Sequence, residues 1–243
     1  MKILVCISVV PDTTSKITLD STNTRINSEG ITFIVGPYDD YALSRAIEIK
    51  EQTQAELVVL HVGSSDSEAL IRKCLALGAD RAVRIDTAAL DSYQVAQEII
   101  HYAKDQSFDL IMMGKESIDY NSGIIHALVA HGLSYNHFSP VMHLDLDTDK
   151  LILEIETDSG KSKVSTTLPA VLGCQEPIAE WKIPSMRGIM TARTKEIAVI
   201  SPNHSNFEQH IAAHVVETER LQKMIPAENA ESLIDILKSE NLI

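Results

Sequence analysis

Residues 3–9 read ILVCISV, an apolar and mostly β-branched run that ends just before Pro11. A strand in the middle of a parallel sheet is buried on both faces and therefore reads as a continuous apolar run. Similar short runs recur at residues 57–62, 81–85 and 110–113, and segments with helical spacing of apolar residues lie between them. This alternation predicts βαβ units and a parallel sheet.

The intervening segments carry helix boundary signals. Gly36 and Pro37 precede an acidic first turn, and Gly78 stands where a left-handed C-terminal cap belongs. The predicted helices cover residues 39–51, 66–77, 93–104, about 123–131 and about 228–239.

The pattern changes after Pro140. Residues 142–147, 151–157 and 163–167 are alternating segments, and a polar turn at residues 158–160 separates the last two. They predict an antiparallel hairpin appended to the parallel sheet. Further strands are predicted at residues 169–174 and 196–200.

Together these elements predict an α/β fold: a doubly wound, mostly parallel sheet with an appended β-hairpin and a C-terminal helical arm. Residues 1–202 are predicted to form the α/β domain, and residues 203–243 the arm. The helix at the end of the arm has an apolar stripe that needs a partner, because Leu233, Ile234 and Leu237 lie on one face.

The charge of the chain excludes some classes of partner. Its 243 residues include 21 Lys and Arg against 34 Asp and Glu, a formal charge of −13. Wrapping nucleic acid or lying on anionic lipid needs a positive surface, so neither partner is expected.

The N-terminal apolar run is too short for a signal peptide, no run approaches the ~20 apolar residues of a membrane span, and three separated cysteines suit a reducing compartment. We therefore expect no membrane insertion and a cytoplasmic location.

The carboxyl ends of the predicted strands are the candidate ligand site, because an open parallel sheet binds ligands there. These ends are residues 6–10, 35–39, 62–64 and 114–123. The last is a long polar loop whose end offers the free N–H groups of a helix N-terminus, which hold phosphate well. The pattern by itself favours an ordinary βα loop in which Lys115 and Glu116 are solvated charges.

No metal site or nucleophile is expected from the motifs. The three cysteines give no C-x-x-C spacing, and no G-x-S-x-G elbow occurs. We therefore assign no metal ligands and no catalytic residues.

Residues 181–195, which we name the basic segment, depart from the acidic character of the chain. They contain four Lys or Arg and no acid, with Trp181, Met186 and Met190 interleaved. This composition is typical of a protein-recognition surface. A loop packed on the core with incidental lysines is an equally good interpretation.

With these residues in view, the chain resembles the beta subunit of electron transfer flavoproteins along essentially its whole length. Single pieces are weak, but the ordered set is specific. The matching segments are the opening strand, residues 36–39 with Ala42 and Ala46, residues 76–82, 114–119, 168–171 and 189–193, and the closing helix.

The resemblance implies a fold of the adenine-nucleotide alpha-hydrolase type and an obligate heterodimer with an alpha subunit that binds most of the FAD. It also implies an AMP buried in residues 1–202, and contact of residues 203–243 with the alpha subunit. Such heterodimers accept electrons from dehydrogenases, including the acyl-CoA dehydrogenases of fatty acid beta-oxidation, and pass them to the respiratory chain. The implied nucleotide-binding residues are Cys6, Gly36, Pro37, Tyr38, Asp39, Val62, Gly63, Asp119, Tyr120, Asn121, Ser122, Gly123 and Ile124.

The resemblance also changes the interpretation of the basic segment. Met186 falls where the family places an apolar anchor that docks acyl-CoA dehydrogenases, and Arg187, Ile189 and Met190 adjoin it. A docking surface becomes the favoured interpretation, and its positive charge suits negatively charged partners.

Departures from the family pattern leave alternatives open. Residues 119–123 read DYNSG and lack the Gln usual there, and in flavin-bifurcating members a second FAD replaces AMP at this site. Thr13 stands where a Tyr is common, near the flavin of the alpha subunit. Two other classes remain: a stand-alone nucleotide-binding module similar to universal stress proteins, and a nucleotide hydrolase, for which only Lys115 and Asp119 are available.

Overall fold

The computed structural model describes residues 1–24, 26–88, 91–147, 150–203, 222 and 224–243. Contacts divide the chain into two compact units, one formed by Met1–Ile17 with Ser28–His210 and the other by Thr18–Asn27 with Ile211–Ile243. Much of the predicted arm, residues 203–243, lies outside the described residues. The predicted domain boundary and the contact of the arm with a partner subunit stay predictions.

A nine-stranded sheet organises the first unit. The described residues form these nine strands and two more in a separate pair: β1 (Lys2–Ile7), β2 (Val9–Pro11), β3 (Phe33–Val35), β4 (Glu56–Val62), β5 (Arg81–Ile85), β6 (Leu110–Gly114), β7 (Asn136–Asp147), β8 (Lys150–Thr157), β9 (Gly160–Thr167), β10 (Ala170–Cys174) and β11 (Ile197–Ile200). The main sheet has the order β11-β5-β4-β1-β6-β10-β7-β8-β9, and β2 pairs separately with β3. Neighbours from β11 to β7 are parallel, whereas β7, β8 and β9 are antiparallel.

Helices cover both faces of this sheet. They are α1 (Pro37–Thr53), α2 (Glu68–Leu77), α3 (Ser92–Lys104), α4 (Ile125–Leu133) and α5 (Met186–Ala192). The second unit has its own helix, α6 (Ser232–Ser239). Leu43 of α1 and Leu75 of α2 belong to one buried apolar cluster, and Ile99 of α3 and Val129 of α4 belong to another. Alternate residues of β1 contribute to the two clusters, so the strand is buried on both faces. This arrangement confirms the predicted doubly wound α/β class.

The apolar run at residues 3–9 does not form one strand. It is divided at Ser8, whose N–H and hydroxyl donate to the Asp39 carboxylate at 2.8 and 2.5 Å. The part after Ser8 becomes β2 and pairs with β3. The sequence pattern does not indicate β3, because three residues are too few to show a period.

The segment predicted as a hairpin is a three-stranded antiparallel extension of the main sheet. Its first strand, β7, begins at Asn136 and continues through Pro140. The β7–β10 register shifts beside Pro140, between Leu172 and Cys174, where the regular ladder is interrupted. A proline is tolerated within a strand at such an irregularity, so Pro140 is not the strand boundary that the sequence pattern predicts.

The second unit is described by itself. Leu19 and Ile26 form an isolated antiparallel bridge, and Leu233 and Ile234 of α6 are exposed. The described part of the chain contains no helix with the length and apolar character needed to cross a membrane.

Candidate functional site

A cavity of about 410 Å³ lies at the carboxyl ends of β1, β4 and β6. In the sheet order β4 and β6 flank β1, so the chain proceeds from β1 towards opposite edges and the cavity lies at the topological switch point. Ser92 and Val95 of α3 and Ile125 and His126 of α4 complete its wall. This is the position at which doubly wound sheets bind ligands.

The cavity brings together most of the residues predicted to bind a nucleotide. Those that line it are Cys6, Asp39, Val62, Gly63, Asp119, Tyr120, Ser122, Gly123 and Ile124.

Four predicted residues, Gly36, Pro37, Tyr38 and Asn121, are not among the lining residues. Gly36 caps α1 and Pro37 and Tyr38 begin it, so all three precede Asp39 along the chain. Asn121 turns the loop before α4, with a φ of 49° and an N–H that donates to the Ser117 carbonyl at 2.8 Å. Contact of these four residues with a nucleotide stays a prediction.

Asp39 joins three segments at the cavity wall. Besides its two bonds from Ser8, the carboxylate accepts the Gly114 N–H at 2.6 Å. Burial raises the pKa of Asp39 to about 6, although the hydrogen bonds from Ser8 and Gly114 oppose that rise. A Cβ at position 114 would lie 2.6 Å from the Tyr38 Cβ, so glycine is required for this close approach of β6 and α1.

The N-terminus of α4 supplies hydrogen-bond donors to the cavity. Its N-cap is Ile124, which makes no side-chain cap, and Gly123 turns the chain with a φ of 58°. The first N–H groups of a helix have no intrahelical acceptor and carry partial positive charge. An anion such as a phosphate would therefore be stabilised beside Ile124 and Ile125.

The charged side chains of the cavity are mostly acidic. Among the lining residues in the described part of the chain, Lys115 is the only lysine or arginine, and it lies 3.9 Å from Glu116. The lining carboxylates are Asp39, Asp66, Asp91, Glu116 and Asp119. Helix dipoles and N–H groups, rather than basic side chains, are thus the main anion-stabilising feature of this site.

A pair of serines joins the two helix starts at the wall. The Ser92 and Ser122 hydroxyls are 2.7 Å apart, and the Asp91 carboxylate caps α3 by accepting the Gln94 N–H at 2.7 Å.

Within the described ranges, no group of three His, Cys, Asp or Glu side chains is arranged to hold a metal ion.

His126 is a cavity residue that no sequence motif predicted. It is only 5% exposed, and its Nε2 lies 2.8 Å from the Lys115 carbonyl oxygen. Because that oxygen can only accept, we assign the hydrogen to Nε2, and Nδ1 then accepts from His137 Nε2 at 2.8 Å. Burial is the main cause that lowers the pKa of His126, to about 4. No motif spacing signals this role, because the two histidines are joined only through the fold.

The low pKa of His126 predicts a pH dependence of stability. The unfolded chain binds the proton near pH 6.5 and the native protein near pH 4, so stability is lost as the pH falls through this window. His126→Gln removes the titration and keeps an amide donor for the Lys115 carbonyl. We expect the wild-type free energy of unfolding, relative to the variant, to fall by about 3 kcal/mol between pH 7 and pH 4. Urea denaturation at each pH measures it, and a constant difference would contradict the assignment.

The basic segment presents apolar side chains at the surface. Met186 is 76% exposed and Met190 68% exposed, and both lie on α5. Ser185 caps this helix by accepting the Gly188 N–H at 3.0 Å, so residues 186–192 are helical where the sequence pattern predicts a loop. Arg187 is also exposed, while Ile189 is 41% exposed. The four predicted docking residues therefore belong to one short helix.

Part of the positive charge in this segment has a structural role. Lys195 Nζ donates to the Ala79 carbonyl at 2.5 Å and to the Leu75 carbonyl at 3.1 Å, near the end of α2. Arg72 Nη1 in turn donates to the Ala192 and Lys195 carbonyls at 2.7 and 2.6 Å. One end of the basic segment is thus packed on α2 while α5 is largely exposed, and a docking role for the exposed part stays a prediction.

Comparison with known proteins identifies the family. A model of the electron transfer flavoprotein domain matches residues 24–205, and a Bacillus subtilis (strain 168) protein named electron transfer flavoprotein subunit beta is 30% identical over 99% of this chain and 98% of its own length. The chain belongs to the electron transfer flavoprotein beta-subunit family. A protein of the same name from Syntrophomonas wolfei is 35% identical over 82% of this chain and 79% of its own length. One from Homo sapiens is 26% identical over 98% of this chain and 97% of its own length.

Membership in the electron transfer flavoprotein beta-subunit family indicates an electron carrier rather than a catalytic enzyme, and one associated with flavin. The matched residues 24–205 include α1, the loop before α4 and the basic segment. They exclude all of β1 and β2, whose residues also form part of the cavity wall.

Proposed function

We propose that the chain is the beta subunit of an FAD-containing heterodimer that takes electrons from dehydrogenases of the acyl-CoA dehydrogenase type and delivers them to the respiratory chain. The observation that carries the proposal is the cavity at the switch point, with the uncapped N-terminus of α4 in its wall, in a chain of this family. We place the heterodimer in the cytoplasm and assign it to fatty acid beta-oxidation.

AMP is the proposed occupant of the cavity. A volume of about 410 Å³ lies towards the small end of the ~300–1,000 Å³ range of ligand pockets, which favours a mononucleotide over a dinucleotide. The phosphate would be held at the start of α4 by Ser122, Gly123 and Ile124. The apolar wall at Cys6 and Val62 would contact the base.

A mononucleotide also suits the charge of the site. A single phosphate can be stabilised by one helix N-terminus together with Lys115. A second phosphate would add negative charge beside the carboxylates of Asp91 and Asp119, which are already in the wall. A second FAD, as in bifurcating relatives, is the alternative occupant.

FAD itself is proposed to bind mainly to an alpha subunit, at the heterodimer interface. When bound it supplies the redox chemistry, because a flavin accepts and releases electrons one or two at a time. This chain would contribute position and electrostatics, with the loop at residues 10–14 near the flavin. Residues 203–243 are proposed to contact the alpha subunit.

The basic segment is proposed as the docking surface for the dehydrogenases. Met186 and Met190 present flexible apolar side chains, which adapt to partner surfaces. Arg187 is exposed beside them in a chain whose formal charge is −13, so the segment offers local positive charge to an acidic partner.

Co-expression tests the proposed assembly. The chain alone is expected to be purified without stoichiometric flavin, whereas co-expression with the alpha subunit of the same organism is expected to give a yellow 1:1 complex. The reason is that most contacts to FAD are proposed to lie on the partner. A colourless complex, or a stable monomer that hydrolyses ATP, would contradict the proposal, and a stable monomer that binds nucleotide without pairing would favour the universal stress protein alternative.

A further inference from the structure

One face of α1 binds the first two residues of the basic segment, Trp181 and Lys182, which we call its entry. Trp181 Nε1 donates to Asp40 Oδ2 at 3.1 Å, and the Lys182 N–H donates to the Ser44 hydroxyl at 3.3 Å. Asp40 and Ser44 are four residues apart and therefore lie on the same side of the helix. The chain thus enters the segment along a defined line on α1.

Asp40 is an unusual residue at this position. It is only 8% exposed, and its Oδ1 has no hydrogen-bond partner in the part of the chain that the structure describes. Its nearest cation, Lys73 Nζ, is 3.9 Å from Oδ2. Burying a carboxylate is unfavourable unless hydrogen bonds compensate it, so the bond from Trp181 matters more than a bond at the surface.

Trp181 is held between this carboxylate and a cation. Its ring lies 5.4 Å from Lys73 Nζ, although the residue is 57% exposed. An exposed side chain normally samples several rotamers. The hydrogen bond to Asp40 and the Lys73 contact therefore select one orientation of Trp181 and of the backbone that follows it.

The two ends of the segment are fixed by different means. At the exit, Gly188 packs against the Ala76 carbonyl, and Arg72 holds the Ala192 and Lys195 carbonyls. Between entry and exit lie Ile183, which is 80% exposed, and Met186. Loss of the entry contact would leave the exit in place and release only the residues that lead to Met186.

We propose that Asp40 is a positioning residue for docking of the dehydrogenase. Asp40 holds Trp181 so that Met186 is presented in the geometry that docking requires. The inference rests on the proposed docking role of the basic segment. A surface that is ordered before binding loses less conformational entropy on association. The contribution of Asp40 therefore lies in the affinity for the dehydrogenase and not in the electron-transfer step itself.

Three variants of the heterodimer test the proposal. Asp40→Leu removes the acceptor, Trp181→Phe removes the donor at an exposed site where folding is not at risk, and Asp40→Asn keeps an acceptor for the Trp181 N–H. Reduction of the bound flavin is followed with a purified acyl-CoA dehydrogenase and its acyl-CoA substrate. We expect KM for the dehydrogenase to rise about tenfold in the first two variants, with kcat unchanged, which is the effect of losing one hydrogen bond to a charged group. Asp40→Asn is expected to recover most of this loss, to within about threefold of the wild-type KM, because it keeps a neutral acceptor for the Trp181 N–H.

A spectroscopic measurement separates this proposal from the docking function on which it rests. Trp181 is the single tryptophan of the chain, and the Trp181→Phe heterodimer supplies the blank for emission from the alpha subunit. In Asp40→Leu, the Trp181 emission is expected to shift to the red and its quenching by acrylamide to increase, and Asp40→Asn is expected to resemble wild type.

The positioning role would be overturned if Asp40→Leu left both KM and the acrylamide quenching unchanged. It would also be overturned if Asp40→Asn were as impaired as Asp40→Leu. If the wild-type heterodimer accepts no electrons from the dehydrogenase, the docking function fails instead. The quenching measurement then still decides whether Asp40 holds Trp181.

Discussion

Replacing Asp39 by alanine is expected to lower the free energy of unfolding by about 3 kcal/mol and to leave the cavity without nucleotide. The carboxylate accepts the N–H groups of Ser8 and Gly114 and the Ser8 hydroxyl, so its removal leaves buried donors unpaired. Those donors belong to the strand ends that form the cavity wall, and the wall loses its geometry with them. Urea denaturation and chromatography of the nucleotide retained after purification measure the two effects.

Asp66→Ala is the matched control for this change. Asp66 also lines the cavity, but it is exposed and its side chain is 3.4 Å from the Ser64 hydroxyl. Substitution at such a surface position is expected to change stability by no more than ~0.5 kcal/mol. Equal losses in the two variants would show that the hydrogen bonds of Asp39 have no special role.

Replacing Met186 by glutamate is expected to slow electron acceptance from a dehydrogenase by about 30-fold and to leave the flavin content unchanged. Met186 is 76% exposed, so the change disturbs no packed contact of the fold. It introduces a charge at the centre of the proposed contact and opposes the charge that would attract an acidic partner. Stopped-flow reduction of the heterodimer measures the rate.

Ser165→Glu supplies the control for added charge. Ser165 is exposed on β9, the edge of the sheet opposite to β11, and it should not affect docking. If Met186→Glu lost flavin, the basic segment would be structural. If both glutamate variants slowed electron acceptance equally, net charge rather than a local contact would control docking.

The fold could be predicted wherever a strand is buried on both faces. The runs at residues 57–62 and 81–85 correspond to β4 and β5, because a central parallel strand needs only continuous apolar character. The run at residues 3–9 fails at Ser8, since its partner Asp39 is 31 positions away and a local pattern cannot show that bond. The short helix α5 was missed for a related reason, because seven residues do not establish a helical period.

The candidate site could be predicted at the level of loops and less well at the level of side chains. Strand ends such as Val62 and Gly63 line the cavity, as the topology of a parallel sheet requires. The sequence could not separate Asp39, which lines the cavity, from Tyr38, which does not, because the start of a helix places neighbours on different sides. His126 carried no motif at all, and its partner His137 comes from β7.

The nucleotides released from the purified heterodimer test the central claim most directly. We predict that denaturation with acid, followed by chromatography, yields FAD and AMP in a 1:1 ratio per heterodimer, with AMP lost selectively from the Asp39→Ala variant. Two FAD per heterodimer would replace the AMP assignment with the bifurcating alternative. FAD alone, with no second nucleotide, would contradict the claim that the cavity at the carboxyl ends of β1, β4 and β6 is a nucleotide site.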